Sequence, residues 1–428
     1  LSVSHTSSGN DTFGVEVGRT WSARTAQLAA SALHATPFQH RLWFDVWYRT
    51  LGSRSDVSPL VVSIERRATG KIVALLPLVV RTSGARRSIE FADLGITDYN
   101  APLLFPDAPA TPAESEAMLG ALLDALAGTA DILVLNKMPA RIGDVPNPLT
   151  LARGAVPGLL SGNVVRIDGS WEDYHRGLDG KVRREFDRCW RVFVRDGVDA
   201  RFVRARTREE AHHILSRIET LQRERICALG LPYALDGECY SKFYHDLIDA
   251  GLEQGYTIVT ALLSGQTDVV GAVFGISDGR RYAMMRLGQA GEAWSHCSPG
   301  RLAFQRTMRA LKQDGHTHFD FTVGNYPYKT VFQVERTSLF ELVRPLSWRG
   351  AVVHNLLQAG KHTKRRLETV PVLASPVRRL AGMLRRRLDA EPAPLTERQT
   401  APRDPAPSEA GPEGKPLPSV ASLRPDRG

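Results

Sequence analysis

The residues best suited to chemistry lie close together in "SHCSPGRLAFQRTMRALKQDGHTHFDFTVGNYPYK", Ser295 to Lys329. Ser298, Pro299, Gly300 and Arg301 have the form of a helix start, with Ser298 as N-cap and Pro299 pre-set for the first helical position. The first turn of a helix leaves backbone N–H groups without intrahelical acceptors and carries the positive end of the helix dipole. With Gly300 adding no side chain and Arg301 adding a guanidinium, such a turn can grip the oxygens of a phosphate. An ordinary capped helix is the plainer reading of the same residues.

Asp320 stands between Phe319 and Phe321, and strand alternation places it on the face opposite both rings. Burial there raises a carboxyl's pKa and fits it to accept a proton, although a structural ion pair would use the same residue. Lys329 follows in "GNYPYK", where an ammonium can neutralise a phosphate or a developing negative charge. His296, His316 and His318 lie nearby and titrate close to neutrality, yet His-Thr-His before a strand also reads as a helix end.

Two further groups lie upstream. "DLGITDYNAPLL" puts Asp98 and Tyr99 in a turn after a strand, placed to line a cleft and hydrogen-bond the hydroxyls or amine of a small molecule or saccharide, or else to close an Asx turn. "KVRREFDR" puts Arg183 and Arg184 on a helix whose other face carries Val182, Phe186 and Trp190, a diphosphate site or a solvated face. The four cysteines form no C-x-x-C pair and have no histidine at metal spacing, so they read as free thiols in a reducing compartment, with no metal expected.

The elements that position these residues alternate between helix and strand. In "TPFQHRLWFDVWYRTLG" the residues Trp43, Trp47 and Leu51 recur every four positions, an apolar helical stripe. "PLVVSIER" and "KIVALLPLVVR", joined at Ala68-Thr69-Gly70, read as a hairpin, "SIEFADLG" as a strand, "ESEAMLGALLDALAG" as a helix and "ADILVLNKM" as a strand. A second block repeats the order. Capped helices at Ser170 and Asp179 and two more amphipathic helices lead to the strands "YTIVTALLSG", "DVVGAVFGISDG" and "RRYAMMRLGQA", then the helix from Arg301 and the strand "HFDFTVG". The class is α+β.

The order predicts two tandem units, residues 21–165 and 166–350, after a flexible start at 1–20. Residues 361–388 hold nine Lys or Arg against one Glu, and 351–388 reads as a basic helical segment. Such a face suits a membrane surface, an acidic partner or an RNA backbone. Nine of the 26 prolines and no aromatic residue fall in 389–428, which reads as a disordered tail. The net charge of +9 favours anionic partners without choosing among them. The longest apolar run, Ile72 to Val80, is half the length of a bilayer span, and the first residues lack the pattern of a secretory signal. A cytoplasmic address, peripheral to the inner membrane if the basic segment docks there, is expected.

The joint order of "TPFQHRLWFDVWYRTLG", "LLPLVV", "DLGITDYNAPLL", "SWEDYHRGLDGKVRREFDR", "VVGAVFGI" and the Ser298 to Lys329 stretch, over roughly Pro37 to Lys329, resembles the GNAT acyltransferase superfamily. More narrowly it resembles the CelD/BcsL-type branch of cellulose and exopolysaccharide biosynthesis, related to the Fem-type aminoacyl transferases with two GNAT-like units. Ser-Pro-Gly stands where ordinary GNAT enzymes carry Gln/Arg-x-x-Gly-x-Gly/Ala. The resemblance implies transfer of an acyl group, acetyl above all, from acyl-CoA to an amine or hydroxyl. It implies Arg286 and Leu287 beside the thioester, Ser298, Gly300 and Arg301 at the diphosphate, Asp320 as base, Tyr326 or Tyr328 as proton donor to the departing thiolate, and Lys329 assisting transfer. Asp98, Tyr99 and Arg183 would hold the acceptor. Two alternatives accompany it: a Fem-like transferase using charged tRNA, the one case in which nucleic acid is expected, and an inactive scaffold in polysaccharide synthesis.

Overall fold

The computed structural model describes residues 12–356, apart from Asp168, Pro232, Ala234, Asp236 and Asn325. The chain divides into units of residues 1–361 and 362–428, and the second lies outside the described residues, as do the basic segment from residue 357 and the Pro-rich tail.

Strand β1 (Phe13–Gly18), helices α1 (Ala23–Ala30) and α2 (Arg41–Thr50), and the meander β2 (Val57–Arg66), β3 (Lys71–Ser83) and β4 (Arg86–Phe91) open the chain. Two-residue β5 (Leu103–Leu104), helix α3 (Pro112–Leu126), strand β6 (Ile132–Pro139), the small hairpin β7 (Arg141–Ile142) and β8 (Val145–Pro146), and α4 (Pro148–Leu151) complete the first half. Then come β9 (Val156–Arg166), α5 (Trp171–Gly177), α6 (Gly180–Asp196), β10 (Arg201–Arg204), α7 (Arg208–Ala228) and α8 (Glu238–Gly251). A second meander, β11 (Thr257–Ser264), β12 (Asp268–Ser277) and β13 (Arg281–Gln289), is followed by α9 (Pro299–Gln313), β14 (His318–Asp320) and β15 (Glu335–Pro345).

All but the β7–β8 hairpin join one mixed, mostly antiparallel sheet of 13 strands in the order β1-β2-β3-β4-β6-β15-β9-β14-β13-β12-β11-β10, with β5 on β3. Its halves repeat one plan: an antiparallel meander, a crossover helix, then a strand parallel to the last meander strand. In each half that parallel contact is short. Ser88–Glu90 of β4 meet Ile132–Val134 of β6, and Arg281–Ala283 of β13 meet His318–Asp320 of β14. The halves also exchange strands, because β15 pairs with β6 of the first half while β9, from between the halves, pairs with β14 of the second.

Burial explains these pairings. In β3, Ala74, Leu76 and Leu78 pack into a core with α3, whereas Leu75 and Val79 pack on the opposite face with α2. A strand covered on both faces reads as a continuous apolar run, which is why "IVALLPLVV" shows no alternation. The core on the second face runs through both halves: Trp43 of α2 meets Phe243 of α8 edge to face at 4.9 Å between ring centroids. Helices α6 and α9 cover the other face of the second half.

One segment departs from the sequence reading. Phe13–Gly18, inside the stretch expected to be flexible, is an edge strand paired with β2, held by the fully buried ring of Phe13.

Candidate functional site

Helix α9 opens differently from the expected capped start. Ser298 has φ 47°, in the left-handed region, where its hydroxyl caps no backbone N–H and instead accepts from Arg301 Nη2 at 3.0 Å. The preceding 3-10 turn, Glu292–Cys297, ends at this residue, and the reversal in φ swings the side chain away from the helix mouth. The first intrahelical bond runs from Leu302 N to Ser298 O, so the amides of Gly300 and Arg301 point out of the mouth without an intrahelical acceptor. No acidic residue occupies the first turn.

That mouth opens into a cavity of about 420 Å3 lined among others by Arg225, Leu287, Gln289, Glu292, Ser298, Gly300, Arg301 and Tyr328. A Cβ on Gly300 would sit 2.3 Å from Gln289 Oε1, so a side chain there would have to push the Gln289 amide aside. Beyond Ala283, strand β13 leaves β14 and its register against β12 skips Met285, a bulge that turns Leu287 and Gln289 into the cavity. A diphosphate fits this donor set: unpaired amides, a dipole end, Arg301 and Arg225, and no side chain at Gly300.

Arg286 is not part of that lining. It lies on the opposite face of β13, fully buried, with Nη1 2.9 Å from Glu219 Oε1, Nη2 2.7 Å from Gln222 Oε1, and its guanidinium 4.8 Å from the centroid of Tyr244. Its positive charge is spent on α7 rather than on a ligand, which corrects the expectation of a donor contact.

The carboxylate site joins the two halves. Asp320 is fully buried, and its Oδ1 accepts from Tyr99 Oη at 2.8 Å and from Thr322 N at 2.7 Å. Its Oδ2 has no hydrogen-bond partner, with Arg281 Nη1 4.0 Å away. Burial raises the Asp320 pKa, while Arg281 and the Tyr99 hydroxyl oppose the rise. Asp98 keeps part of its surface open although protein groups crowd its carboxyl; burial pushes its pKa up to about 6 against the pull of Lys137. Gly162 on β9 makes room for Tyr99, whose Oη would lie 2.5 Å from a Cβ there.

Lys329 completes the cluster. Its Nζ donates to the carbonyls of Phe321 at 2.8 Å and Val323 at 3.0 Å, and burial pushes its pKa down to about 8 against the attraction of Asp98 and Asp320. Tyr328, the preceding residue, lines the donor cavity and stacks on Phe304 of α9 at 5.8 Å. Burial holds its hydroxyl protonated, with a pKa raised to about 12. Asp98, Tyr99, Asp320 and Lys329 do not themselves line the cavity; Tyr328, next to Lys329 in the chain, does.

The matching helix start in the first half is capped. Thr111 caps α3 and Glu114 sits in its first turn, a negative charge where the second half has none. Lys137 Nζ lies 2.7 Å from Asp93 Oδ2 beside the β4–β6 parting, and Asn100 donates to Asp93 as well.

Of the other expected residues, Arg183 lies elsewhere, in a cavity between α5, α6 and α9. His316 is buried between Ser277 Oγ and Leu311 O, His296 pairs with Asp196, and Tyr326 stacks on Tyr328. Sequence reasoning missed Gln289, Arg225 and Thr322, and Asn163, whose amide donates to the carbonyls of Thr322 and Gly324 and fixes the loop before Lys329. Only Gln289 had a readable signal, being two residues after Leu287 on one strand.

Residues 180–330, from α6 through Lys329, match the family described as acetyltransferase (GNAT) domain. The chain carries a GNAT domain. Around that domain the fold is similar to the crystal structure of FemX, with 10% identity, a TM-score of 0.53, and coverage of 80% of this chain and 99% of that one. L-PGS from Bacillus licheniformis (12% identity, TM-score 0.45, 76% and 92% covered) and a tandem GNAT protein from the clavulanic acid biosynthesis pathway (12%, 0.44, 78% and 99%) are also similar. At these identities the likeness is one of fold. No curated protein matches the chain. Among the described residues no helix is long and apolar enough to cross a membrane, and no group of three or more His, Cys, Asp or Glu is arranged to hold a metal ion.

Proposed function

We propose that this GNAT-domain protein is an acyltransferase that moves an acyl group, acetyl foremost, from acyl-CoA to an amine or hydroxyl of an envelope or exopolysaccharide acceptor, as a member of the CelD/BcsL-type branch. The observation that carries the reading is the uncapped mouth of α9 opening into a cavity beside the parted strand β13.

The amides of Gly300 and Arg301, with the Arg301 and Arg225 side chains, would hold the donor's diphosphate. The acyl-thioester end then runs along Leu287 and Gln289 towards the site where Tyr99, Asp98, Asp320 and Lys329 meet. Asp98, partly open and with its pKa near 6, takes the proton from the acceptor's nucleophile. Asp320 is too buried to touch an acceptor and acts as a positioning residue, holding the Tyr99 hydroxyl. Tyr328 returns a proton to the departing thiolate, and Lys329 offsets the negative charge that develops on the acyl oxygen. The first half supplies Asp98 and Tyr99 as one wall, and its helix α3 begins with the Thr111 cap and with Glu114 paired to Arg66, without the uncapped mouth of α9.

The test is donor-dependent acylation by the purified protein with radiolabelled acetyl-CoA and a panel of amino and hydroxyl sugars. Label transfer abolished in Asp98→Asn supports the reading. CoA release that is unchanged by Asp98→Asn and by Gly300→Val together removes it.

A further inference from the structure

A second cavity, of about 360 Å3, lies between α5, α6 and α9, lined by Trp171, Glu172, His175, Arg176, Arg183 and Arg309. Arg309 is nine residues beyond Gly300 on α9, about two and a half turns and about 13 Å along the axis, so it projects from the side of the helix opposite Gly300. The two cavities share one helix and no lining residue.

The groups around this second cavity carry more positive charge than the protein neutralises. Arg176 pairs with Asp173 at 2.8 Å, whereas Arg183, Arg306 and Arg309 have no carboxylate within ion-pair distance among the described residues. Arg183 spends one donor on the Arg176 carbonyl at 2.6 Å. Arg306 lies over the Trp190 ring at 3.6 Å, and its Nε is shut from water without an acceptor. His175 stacks on Trp171, and its Nε2 is likewise buried and unpartnered. A buried polar atom without a partner is a costly feature in a folded protein, and His175 Nε2 is one on the lining that Arg183 and Arg309 share. Burial and Arg309 push the Arg306 pKa down to about 10, and burial together with Arg183, Arg309 and Arg306 lowers that of His175, in both cases against the pull of Asp187 on α6. One carboxylate on the lining, Glu172, opposes an anion there.

From Arg183 and Arg309 on the same cavity lining as His175, whose ring Nε2 has no partner, we infer that this cavity is a second anion site, distinct from the donor site, that takes a phosphoryl group. A phosphoryl group offers oxygens that the planar Arg183 and Arg309 guanidiniums bind in pairs, and it accepts from His175 Nε2 when that nitrogen carries the proton. The cavity has room for a phosphorylated sugar. The inference stands apart from the acyltransferase reading, because no residue of the donor mouth takes part.

Isothermal titration of the full chain with glucose 1-phosphate tests it at low salt, in a Gly300→Val background that obstructs the α9 mouth. Saturable binding is expected, weakened at least tenfold by the added pair Arg183→Gln and Arg309→Gln, both reachable from the surface, with unchanged circular dichroism. Sedimentation with phosphatidic acid vesicles separates the sources: binding to vesicles alone assigns the site to a lipid headgroup, and binding to the sugar phosphate assigns a soluble ligand. Soaking tungstate into crystals of the unaltered protein gives an independent readout, with an anomalous peak expected beside Arg309. No binding to either probe, binding indifferent to the Arg pair, or no peak at that cavity overturns the assignment.

Discussion

Tyr99 of the first half donates its hydroxyl to Asp320 of the second half at 2.8 Å, inside a buried space that neither half encloses alone. The contact ties the turn after β4 to the end of β14 and sets where Asp98 stands. Removing it with Tyr99→Phe leaves a buried carboxylate with one acceptor position unfilled, at a cost of about 1–3 kcal/mol. Thermal unfolding of the variant should show that loss, and kcat should fall while the donor KM stays put. An unaltered melting curve with unaltered kcat would show that the hydroxyl holds nothing in place.

Asp98 and Lys329 should shape the pH dependence. With pKa values near 6 and near 8, they predict a bell-shaped kcat/KM, rising as the carboxyl ionises and falling as the ammonium loses its proton. The limbs belong to the coupled cluster rather than to single residues. Asp98→Asn should lower kcat on the order of 100-fold and remove the acid limb. A variant that retains the limb near pH 6 would assign it to another group.

The same shifts act on stability. Asp98 holds its proton in the folded protein up to about pH 6 but has an ordinary value of 3.8, so its contribution is full below pH 3.8 and declines as pH rises through 6. Lys329 runs the other way: between about 8 and its ordinary 10.5 the unfolded chain binds the extra proton, so its contribution to stability improves as pH rises across that window. Denaturation of Lys329→Met against the unaltered protein from pH 7 to 11 should show this slope disappear. A slope that survives the substitution would place the titration elsewhere.

Gly300→Val brings a branched side chain against Gln289 Oε1, 2.3 Å from the Cβ position, and narrows the donor mouth. The donor KM should rise about tenfold or more with kcat little changed, the pattern of lost ground-state binding. A drop in kcat at constant KM would mean that the mouth does not hold the donor.

Much of the frame was legible because it is written in local pattern. The crossover helix α9, the meander β11–β13 and the placement of Asp320 opposite two phenylalanines follow from apolar periodicity, glycine turns and strand alternation. The exchange of β15 and β9 between halves was not, because partners more than a hundred residues apart leave no local trace. Ser298 was misread for a related reason. Its left-handed backbone is imposed by the turn before it, and a Ser-Pro-Gly start looks the same whether or not the serine caps. The face of Arg286 was legible, since one residue before Leu287 strand alternation puts it opposite Leu287 and Gln289, away from the cavity. Asp98 and Tyr99 could be proposed from the turn they occupy, but their meeting with Asp320 depends on how the halves join.

The most direct measurement is the thermal unfolding of the full chain with and without millimolar acetyl-CoA, repeated with Gly300→Val. Binding to the folded state should raise the melting temperature of the unaltered protein by about 2 °C or more, and the shift should shrink in the variant. No shift with acetyl-CoA or longer acyl-CoA thioesters, or an equal shift in both proteins, would contradict a donor seated at the mouth of α9.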